Sequence, residues 1–243
     1  MAASVAFESP VALVTGGARR IGAVIVEALH QAGYRVMIHC HQSVDAAQAT
    51  AARLNHVRSN SAWVCTADLA NQASYASIIE QTLHVGSRLD VLVNNASLFT
   101  KDPLAWEALF AINVKAPYFL SLQAAPYLSQ HQGCIVNITD QYATRVLKDY
   151  AVYCQTKAAL GMQTKALARQ LAPLVRVNAV APGAVIWPEG ENALSPAQQQ
   201  HIIEKIWLKR HGDPKYIAQA VLFLVNNRFM TGQSIGVEGG RDG

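Results

Sequence analysis

The feature that most constrains the fold of this chain is a regular alternation of short apolar runs with longer amphipathic stretches. The apolar runs are continuous rather than alternating and are rich in β-branched residues, a pattern typical of strands buried on both faces. We predict such strands at residues 10–16, 34–40, 61–67, 89–95, 133–139, 175–182 and 233–240. Strands of this kind occur in parallel sheets whose two faces are covered by helices.

The stretches between the strands carry the periodicity of helices. We predict helices at residues 19–33, 44–55, 71–84, 103–129, 150–172 and 213–226. Because strands and helices alternate, right-handed crossovers join parallel strands. The sequence, which no repeat or linker divides, therefore predicts one doubly wound α/β Rossmann domain over residues 1–243, with a mostly parallel seven-stranded sheet.

Composition excludes several classes of protein. The net charge is only +4 and the basic residues are scattered, which argues against a nucleic-acid partner and favours a small anionic ligand. No apolar run is long enough to span a membrane, and residues 1–10 lack the basic and apolar regions of a signal peptide. We therefore expect a cytoplasmic protein.

Cysteine and histidine spacing gives no sign of a disulfide or a metal site. Cys40, Cys65 and Cys134 lie in or beside the predicted strands, where a free thiol behaves as a small buried hydrophobe. His39 and His41 would share one face of a strand, but two ligands without a third do not make a metal site. We expect no metal.

A glycine-rich turn separates the first strand from the first helix. Residues 15–22 read Thr-Gly-Gly-Ala-Arg-Arg-Ile-Gly. Glycine allows a sharp turn and lets a phosphate approach the N-terminus of the helix, whose free N–H groups attract anions. Because the turn follows a strand and begins a long series of strand–helix units, we interpret it as dinucleotide-binding. A turn without a ligand is the alternative.

The end of the second strand indicates which dinucleotide binds. An NAD site needs an acid there to bind the ribose 2′-hydroxyl. Residues 39–43 read His-Cys-His-Gln-Ser and contain no acid, whereas His, Gln and Ser side chains can donate to a 2′-phosphate. Arg19 and Arg20 add positive charge, and Asp45, the nearest acid, reads as a helix-start residue. The sequence therefore predicts NADPH.

A tyrosine and a lysine four positions apart lie on a helix that follows the fifth strand. Tyr153-x-x-x-Lys157 would place both side chains on one helix face, and Asp140 ends the strand before them. An ordinary polar helix face is the alternative to a catalytic pair.

Taken in order along the chain, these motifs resemble those of the short-chain dehydrogenases/reductases. They are TGGARRIG, Asp68-Leu69, Asn94-Asn95-Ala96, Asn113, Tyr153-x-x-x-Lys157 and Pro182-Gly183. A narrower resemblance, to pteridine reductases, rests on Arg20 in place of a glycine, on His39-x-His41-x-Ser43, on Asn94-Asn95-Ala96-Ser97-x-Phe99, and on Asp140 in place of a serine. The chain departs from the usual HxHRS in having Gln42.

The resemblance implies roles for individual residues. Tyr153 would donate a proton, Lys157 would hold the nicotinamide ribose and lower the tyrosine pKa, and Asn113 would support a water relay. The implied cofactor site comprises Gly16, Arg19, Arg20, Ile21, His41, Gln42, Ser43, Asp68, Leu69, Asn95, Ala96, Ser97, Tyr153, Lys157, Pro182 and Gly183. The implied substrate site comprises Arg20, Ser97, Phe99, Asp140, Tyr153 and Trp187, the last in a substrate loop near 184–212.

Two of the implied substrate contacts have plain alternatives, and assembly is implied by relatives alone. Phe99 would stack on a pterin or serve as a core aromatic, and Trp187 would contact substrate or only pack within its loop. Relatives usually pair the long helices predicted here at 103–129 and 150–172 into homotetramers.

Asp140 favours a nitrogen heterocycle as substrate. Unless Asp140 stays protonated, its carboxylate repels the oxyanion that forms when a ketone is reduced, and it offers only acceptors. A pterin instead needs a proton on a ring nitrogen and presents N–H groups that a carboxylate can accept. The sequence therefore predicts NADPH-dependent reduction of a pterin, a 7,8-dihydropterin or dihydrofolate. The alternatives are a carbonyl reductase, such as one acting on a 3-oxoacyl thioester, and a non-catalytic NADP(H)-sensing protein.

Overall fold

Every predicted strand is present in the computed structural model, which describes residues 9–240. The strands are β1 (Val11–Val14), β2 (Arg35–Cys40), β3 (Ala62–Thr66), β4 (Val91–Asn94), β5 (Cys134–Ile138), β6 (Arg176–Pro182) and β7 (Ser234–Val237). Residues 1–8, where we expect no signal peptide, lie outside the described residues. Arg241 also lies outside them.

The strands of the described chain form one seven-stranded sheet in the order β3-β2-β1-β4-β5-β6-β7. Each neighbouring pair is parallel, so the predicted mostly parallel sheet is parallel throughout. The direction in which strands are added reverses between β1 and β4. In doubly wound sheets the crevice at the carboxyl ends of the strands beside such a reversal is the usual ligand site.

Burial on both faces explains why the strand sequences are continuously apolar. All four residues of β1 are fully buried. Ala12 and Val14 belong to the core on one side of the sheet, whereas Leu13 belongs to the core on the other side. Since successive side chains of a strand point to opposite faces, a strand in this position needs an apolar residue at every place.

Helices cover both faces of the sheet. They are α1 (Arg20–Gln31), α2 (Val44–Val57), α3 (Ser74–Gly86), α4 (Trp106–Phe110), α5 (Ala116–Ser129), α6 (Ala151–Leu171), α7 (Pro196–Glu204) and α8 (Pro214–Asn226). Helix α1 buries Ile25, Val26 and Leu29, at helical spacing, in the core that α8 also lines. Helices α3 and α5 pack on the opposite face. Asp45 lies in the first turn of α2, as predicted.

The segment predicted as a long helix over 103–129 is interrupted. A 3₁₀ turn at Pro103–Ala105 precedes α4, and a π-helical turn at Ala111–Lys115 separates α4 from α5. The fully buried Asn113 lies in that turn. Such π turns widen the helix locally and often occur at functional sites.

The segment predicted as a substrate loop over 184–212 contains helix α7. Ser195 accepts a hydrogen bond from the Gln198 backbone, and the Gln198 side chain accepts one from the Ser195 backbone, which together form a capping box. Pro196 occupies the first turn, where its missing N–H has no helical partner to lose. The loop expectation is therefore wrong for Pro196–Glu204.

The cysteine prediction is confirmed. Cys40, Cys65 and Cys134 are buried in β2, β3 and β5. Burial raises the pKa of the Cys65 thiol to about 12 and that of Cys134 to about 11. Both are therefore unreactive thiols at neutral pH.

Candidate active site

The turn between β1 and α1 has glycine where a side chain would collide with backbone. Gly16 has a φ of +61°, and a Cβ there would lie 3.0 Å from the Cα of Ala96. A Cβ on Gly22 would lie 2.1 Å from the carbonyl oxygen of Gly16. The two glycines therefore allow the backbone of the turn to approach both β4 and the N-terminus of α1, as a phosphate site requires.

The two arginines of this turn contact the segment after β6. Arg20 has a φ of +54°, a conformation that residues other than glycine rarely adopt. Its Nη2 donates to the carbonyl oxygen of Trp187 at 3.0 Å, and its Nη1 lies 3.0 Å from Oε1 of Glu189. Arg19 Nη2 lies 3.3 Å from Oε2 of Glu189. Glu189 is a residue that the sequence reasoning missed.

The His39 side chain forms hydrogen bonds with the glycine turn and with the segment after β3. The backbone N–H of Gly16 donates to its Nδ1 at 3.3 Å, so Nε2 carries the proton and donates to the carbonyl oxygen of Ala67 at 3.2 Å. Burial lowers the pKa of His39 to about 4, so the ring is neutral near pH 7. The structure therefore gives His39 a supporting role and removes it from the donors available to a 2′-phosphate.

The remaining predicted 2′-phosphate donors follow β2 directly. His41 and Gln42 are exposed beyond the end of the strand, and Ser43 is the N-cap residue of α2. They lie at the carboxyl edge of the sheet, and no acid is among them. Their binding of a 2′-phosphate stays a prediction.

Asn95 and Ala96 join the end of β4 to the glycine turn. Thr15 Oγ1 accepts from the backbone N–H groups of Asn95 and Ala96 at 2.9 and 3.1 Å. The Asn95 amide nitrogen donates to the carbonyl oxygens of Thr15 and Gly16 at 2.9 and 3.0 Å. These side chains therefore shape the turn through which a dinucleotide would be held.

Asp68 and Leu69 follow β3 along the same edge. An oxygen of the Asp68 carboxylate accepts from the backbone N–H of Ala70 at 2.8 Å. The Leu69 side chain is buried in the core, and its carbonyl oxygen accepts from the Tyr75 hydroxyl at 2.9 Å. The Leu69 side chain therefore faces the core, and contact of Asp68 and Leu69 with an adenine stays a prediction.

Pro182 and Gly183 lie where β6 ends. Pro182 is buried and is the last residue of the strand. The Gly183 N–H donates to the carbonyl oxygen of Val237 at 3.0 Å. A Cβ on Gly183 would lie 2.7 Å from the Cα of Glu238. Glycine is therefore needed for the close approach of β6 to the segment after β7.

Tyr153, Asp140 and Lys157 converge at the end of β5. The Tyr153 hydroxyl donates to Oδ2 of Asp140 at 2.7 Å. Oδ1 of the same carboxylate accepts from the backbone N–H of Tyr142 at 2.9 Å, and Lys157 Nζ donates to the carbonyl oxygen of Ile138 at 3.0 Å. The predicted tyrosine–lysine pair and the predicted aspartate therefore form one cluster.

Burial and the neighbouring carboxylate set the titration of this cluster. Burial, together with the Asp140 charge and its hydrogen bond, raises the pKa of Tyr153 well above its usual value. Burial lowers the pKa of Lys157 to about 8, although Asp140 opposes that shift. The Lys157 nitrogen lies 5.7 Å from the centre of the Tyr153 ring. The expectation that Lys157 lowers the Tyr153 pKa is therefore wrong for this structure: the hydroxyl keeps its proton at neutral pH, and the Lys157 ammonium is close to its titration range.

Asn113 is fully engaged with neighbouring groups. Its Oδ1 accepts from the Leu98 backbone N–H at 2.7 Å. Its Nδ2 donates to the Leu98 carbonyl oxygen at 2.9 Å and to Thr156 Oγ1 at 3.0 Å. The side chain thus fixes the segment that follows β4 against α6. The predicted water relay at Asn113 stays a prediction, and the side-chain amide has no donor to spare for it.

An aromatic wall stands beside Tyr153. The Phe99 ring stacks on Tyr150, with centroids 4.3 Å apart, and meets Tyr153 edge-on, with centroids 4.8 Å apart. The Tyr150 hydroxyl donates to Asn192 Oδ1 at 2.8 Å, and Asn192 Nδ2 donates to the Phe99 carbonyl oxygen at 3.0 Å. The sequence reasoning missed Tyr150 and Asn192. Tyr150 precedes Tyr153 by three residues, the spacing of one helix face, which was an available signal.

Comparisons with known proteins agree with this arrangement. The model of a family described as enoyl-(acyl carrier protein) reductase matches residues 16–242. The chain is 33% identical to pteridine reductase 1 of Leishmania tarentolae, over 96% of each protein. It is 34% identical to a 3-oxoacyl-[acyl-carrier-protein] reductase of Staphylococcus epidermidis, over 94% of this chain and 97% of the relative.

The chain is a short-chain dehydrogenase/reductase. As a member of this superfamily it is an oxidoreductase that uses a nicotinamide cofactor and acts on a small molecule. It is also 35% identical to the L-xylulose reductase of Bos taurus, over 94% of this chain and 95% of the relative. Relatives named for pteridine, acyl-carrier-protein and sugar substrates thus match it about equally well.

Two predicted substrate contacts of this short-chain reductase lie at the edges of the cluster. Ser97 is exposed, and its hydroxyl donates to the Leu98 carbonyl oxygen at 3.3 Å. The Trp187 ring packs on His211, with centroids 4.4 Å apart. Trp187 therefore packs within the segment after β6, the alternative considered for it, and its contact with substrate stays a prediction.

Within residues 9–240, no helix combines the length and apolar character needed to cross a membrane. The described residues contain no group of three His, Cys, Asp or Glu side chains arranged to hold a metal ion.

Proposed function

We propose that this short-chain reductase uses NADPH to reduce a pterin, converting a 7,8-dihydropterin to its tetrahydro form, with dihydrofolate as a further candidate. The observation that carries the proposal is the position of the Asp140 carboxylate, which accepts a hydrogen bond from the Tyr153 hydroxyl at 2.7 Å. Asp140 stands where most members of the superfamily have a serine. We therefore infer a substrate that binds better when a hydrogen-bond acceptor lies beside the proton donor.

A pterin meets that requirement better than a ketone does. A ketone oxygen gains negative charge as hydride arrives, and the Asp140 carboxylate would repel it. The amino group and ring N–H groups of a pterin are donors, so Asp140 can hold that edge of the ring. The chemistry of the carboxylate thus supports a nitrogen heterocycle.

The residues of the cluster can manage the proton that the reaction needs. When bound, NADPH supplies a hydride to the carbon of the pterin C=N bond. Tyr153, in concert with Asp140, gives a proton to the adjacent ring nitrogen, and the Lys157 ammonium stabilises the negative charge left on the pair. A general acid within hydrogen-bond reach contributes about 10²–10⁴-fold to such a step.

The aromatic wall also supports a flat substrate. Tyr150 covers one face of Phe99 and fixes the plane of its ring. Asn192 bonds to both residues and so ties the wall to the segment after β6. A bicyclic ring stacked on the wall would gain about 0.5–1.5 kcal/mol beyond the burial of its area. We propose that Phe99 contacts the pterin in this way.

The glycine turn fits a dinucleotide, and the end of β2 favours the phosphorylated one. Gly16 and Gly22 leave no room for a Cβ atom. Without side chains there, a pyrophosphate can approach the backbone N–H groups at the N-terminus of α1. With no acid among residues 41–43 and Arg20 in the turn, NADPH is expected to exceed NADH by at least tenfold in kcat/KM, about 1.4 kcal/mol. Arg20→Ala should reduce the preference, and equal efficiency with the two cofactors would contradict the assignment.

Turnover is expected to fall as the pH rises through about 8, the pKa of Lys157. Below that pH the buried ammonium is charged and stabilises negative charge on Tyr153; above it the amine is neutral and this stabilisation is lost. The measurement is kcat at saturating NADPH and dihydropterin from about pH 6 to about pH 10, with NADPH binding followed separately. A flat profile across that range would remove the charge of Lys157 from the reaction.

A comparison of substrates separates the candidate functions. Purified protein would be given NADPH with a dihydropterin and, in parallel, with an acetoacetyl thioester. The carbonyl alternative has support in the 34% identity to a 3-oxoacyl-[acyl-carrier-protein] reductase. Faster oxidation of NADPH with the thioester would favour that alternative. Binding of NADPH with no turnover of either substrate would favour a sensing protein.

A further inference from the structure

One carboxylate bridges the two arginines of the glycine turn. Oε1 of Glu189 lies 3.0 Å from Arg20 Nη1, and Oε2 lies 3.3 Å from Arg19 Nη2. Arg20 Nη2 also donates to the carbonyl oxygen of Trp187. We call the three charged residues, Glu189, Arg19 and Arg20, the Glu189 bridge. It joins the segment after β6 to the start of α1.

The bridge lies where a cofactor phosphate would be attracted. The N-terminus of α1 carries the positive end of the helix dipole, and two guanidinium groups add to it. Guanidinium groups bind carboxylate and phosphate with the same paired N–H donors. Glu189 therefore uses donors that suit a phosphate and cancels one of the two positive charges that would attract it.

The bridge is also easily broken. The side chains of Arg19, Arg20 and Glu189 are 59%, 37% and 66% exposed, and exposed ion pairs contribute little to stability. A ligand that carries several phosphate charges can therefore displace a single carboxylate from these arginines.

We propose that Glu189 and the phosphate groups of NADP(H) are alternative partners of Arg19 and Arg20, so that Glu189 lowers the affinity for the cofactor. The inference rests on the proposed use of NADPH. Binding of the phosphates releases Glu189 and so removes the ionic contacts that hold the segment after β6 to the turn. Return of Glu189 to the arginines favours departure of the oxidised cofactor after turnover.

Replacing Glu189 by glutamine tests the proposal by binding alone. Glu189→Gln removes the charge and keeps the size, and NADPH affinity is measured by its fluorescence with no pterin present. We expect binding about three- to tenfold tighter than in the parent protein at low salt. The gain should shrink at about 0.5 M salt, because screening weakens the bridge that the variant lacks.

A matched control lies two residues further along. Glu191 is exposed on the same segment and, within residues 9–240, forms no ion pair. Glu191→Gln changes the net charge equally and should alter NADPH affinity less than about twofold. Equal tightening in both variants would mean that overall charge, not the bridge, sets the affinity, and would overturn the proposal.

The remaining outcomes are also decisive. Unchanged or weaker NADPH binding in Glu189→Gln would overturn the proposal while leaving the cofactor assignment intact. A parent protein that does not bind NADPH would overturn the cofactor assignment and this inference together. A parent protein that binds NADPH but reduces no pterin would overturn only the proposed substrate. Hydrogen exchange supplies a second readout: amides of residues 186–190 should exchange faster in Glu189→Gln and, in the parent, on adding NADPH.

Discussion

Replacing Asp140 with serine is expected to lower the rate of dihydropterin reduction by about 100-fold, the contribution typical of a positioned acid–base group. Serine cannot accept the N–H groups of a pterin as a carboxylate does, and the substitution removes any proton relay through the acid. Reduction of a simple activated ketone should rise or stay unchanged, because a neutral hydroxyl donor would then face the developing oxyanion. The measurement is kcat/KM for both substrates with NADPH.

The structure indicates that this variant will fold. Besides its bond to Tyr153, Asp140 accepts from the Tyr142 backbone N–H and so begins the short 3₁₀ turn at Gln141–Ala143. Serine can form the same local bond. Asp140→Asn would also keep the bond from the Tyr142 N–H. It would, however, turn an amide N–H group toward Tyr153, where the carboxylate now accepts the hydroxyl proton.

Two comparisons make the Asp140 result interpretable. Asp149→Asn removes an exposed acid from the same connection between β5 and α6 and should leave dihydropterin turnover within about twofold. If Asp140→Ser and Asp140→Asn both reduce dihydropterin as well as the parent does, the carboxylate is structural. The main reason to prefer a pterin over a carbonyl substrate would then be lost.

Replacing Tyr153 with phenylalanine should lower kcat by about 100-fold or more while NADPH still binds. The change removes the hydroxyl that donates to Asp140 at 2.7 Å and keeps the ring that meets Phe99 edge-on. The lost interaction acts mainly in the transition state, so KM should change much less than kcat. Single-turnover oxidation of bound NADPH is the direct measurement.

Tyr150 provides the control for Tyr153. Its hydroxyl bonds to Asn192 rather than to Asp140, so Tyr150→Phe removes a hydroxyl from the same wall without touching the proposed proton donor. We expect it to lower turnover by less than about fivefold. Near-normal turnover in Tyr153→Phe would exclude Tyr153 as the proton donor and leave Asp140 as the candidate.

The sheet could be predicted because its signal is local. Burial on both faces makes the central strands largely apolar, so residues 34–40 and 175–182 could be identified without knowledge of their partners. The sequence also placed Asp140 at the end of a predicted strand, and Tyr153 and Lys157 on one face of the next helix. In the structure β5 ends at Ile138, and Asp140 follows it at the carboxyl edge, beside Tyr153.

Contacts between distant parts of the chain could not be predicted in this way. Arg19 and Glu189 are 170 residues apart, and neither carries a local pattern that identifies the other. Asn192 likewise meets Phe99 only because the fold brings the segment after β6 across the aromatic wall. Helix α7 had one local signal, the capping box at Ser195, but its face is not apolar enough to reveal a helix.

The π turn at Ala111–Lys115 separates helices α4 and α5, which would otherwise form one continuous helix. Before it, Leu109 of α4 packs with Tyr150 and Tyr153 at the site; after it, Leu120 of α5 packs in the core beneath the sheet. One residue corresponds to about 100° of rotation in an α-helix. Deleting a single residue within the turn would therefore rotate α4 or α5 away from the side chains that it packs against. The length of this segment is therefore constrained more tightly than its sequence, and substitutions on either side can tune the site or the core separately.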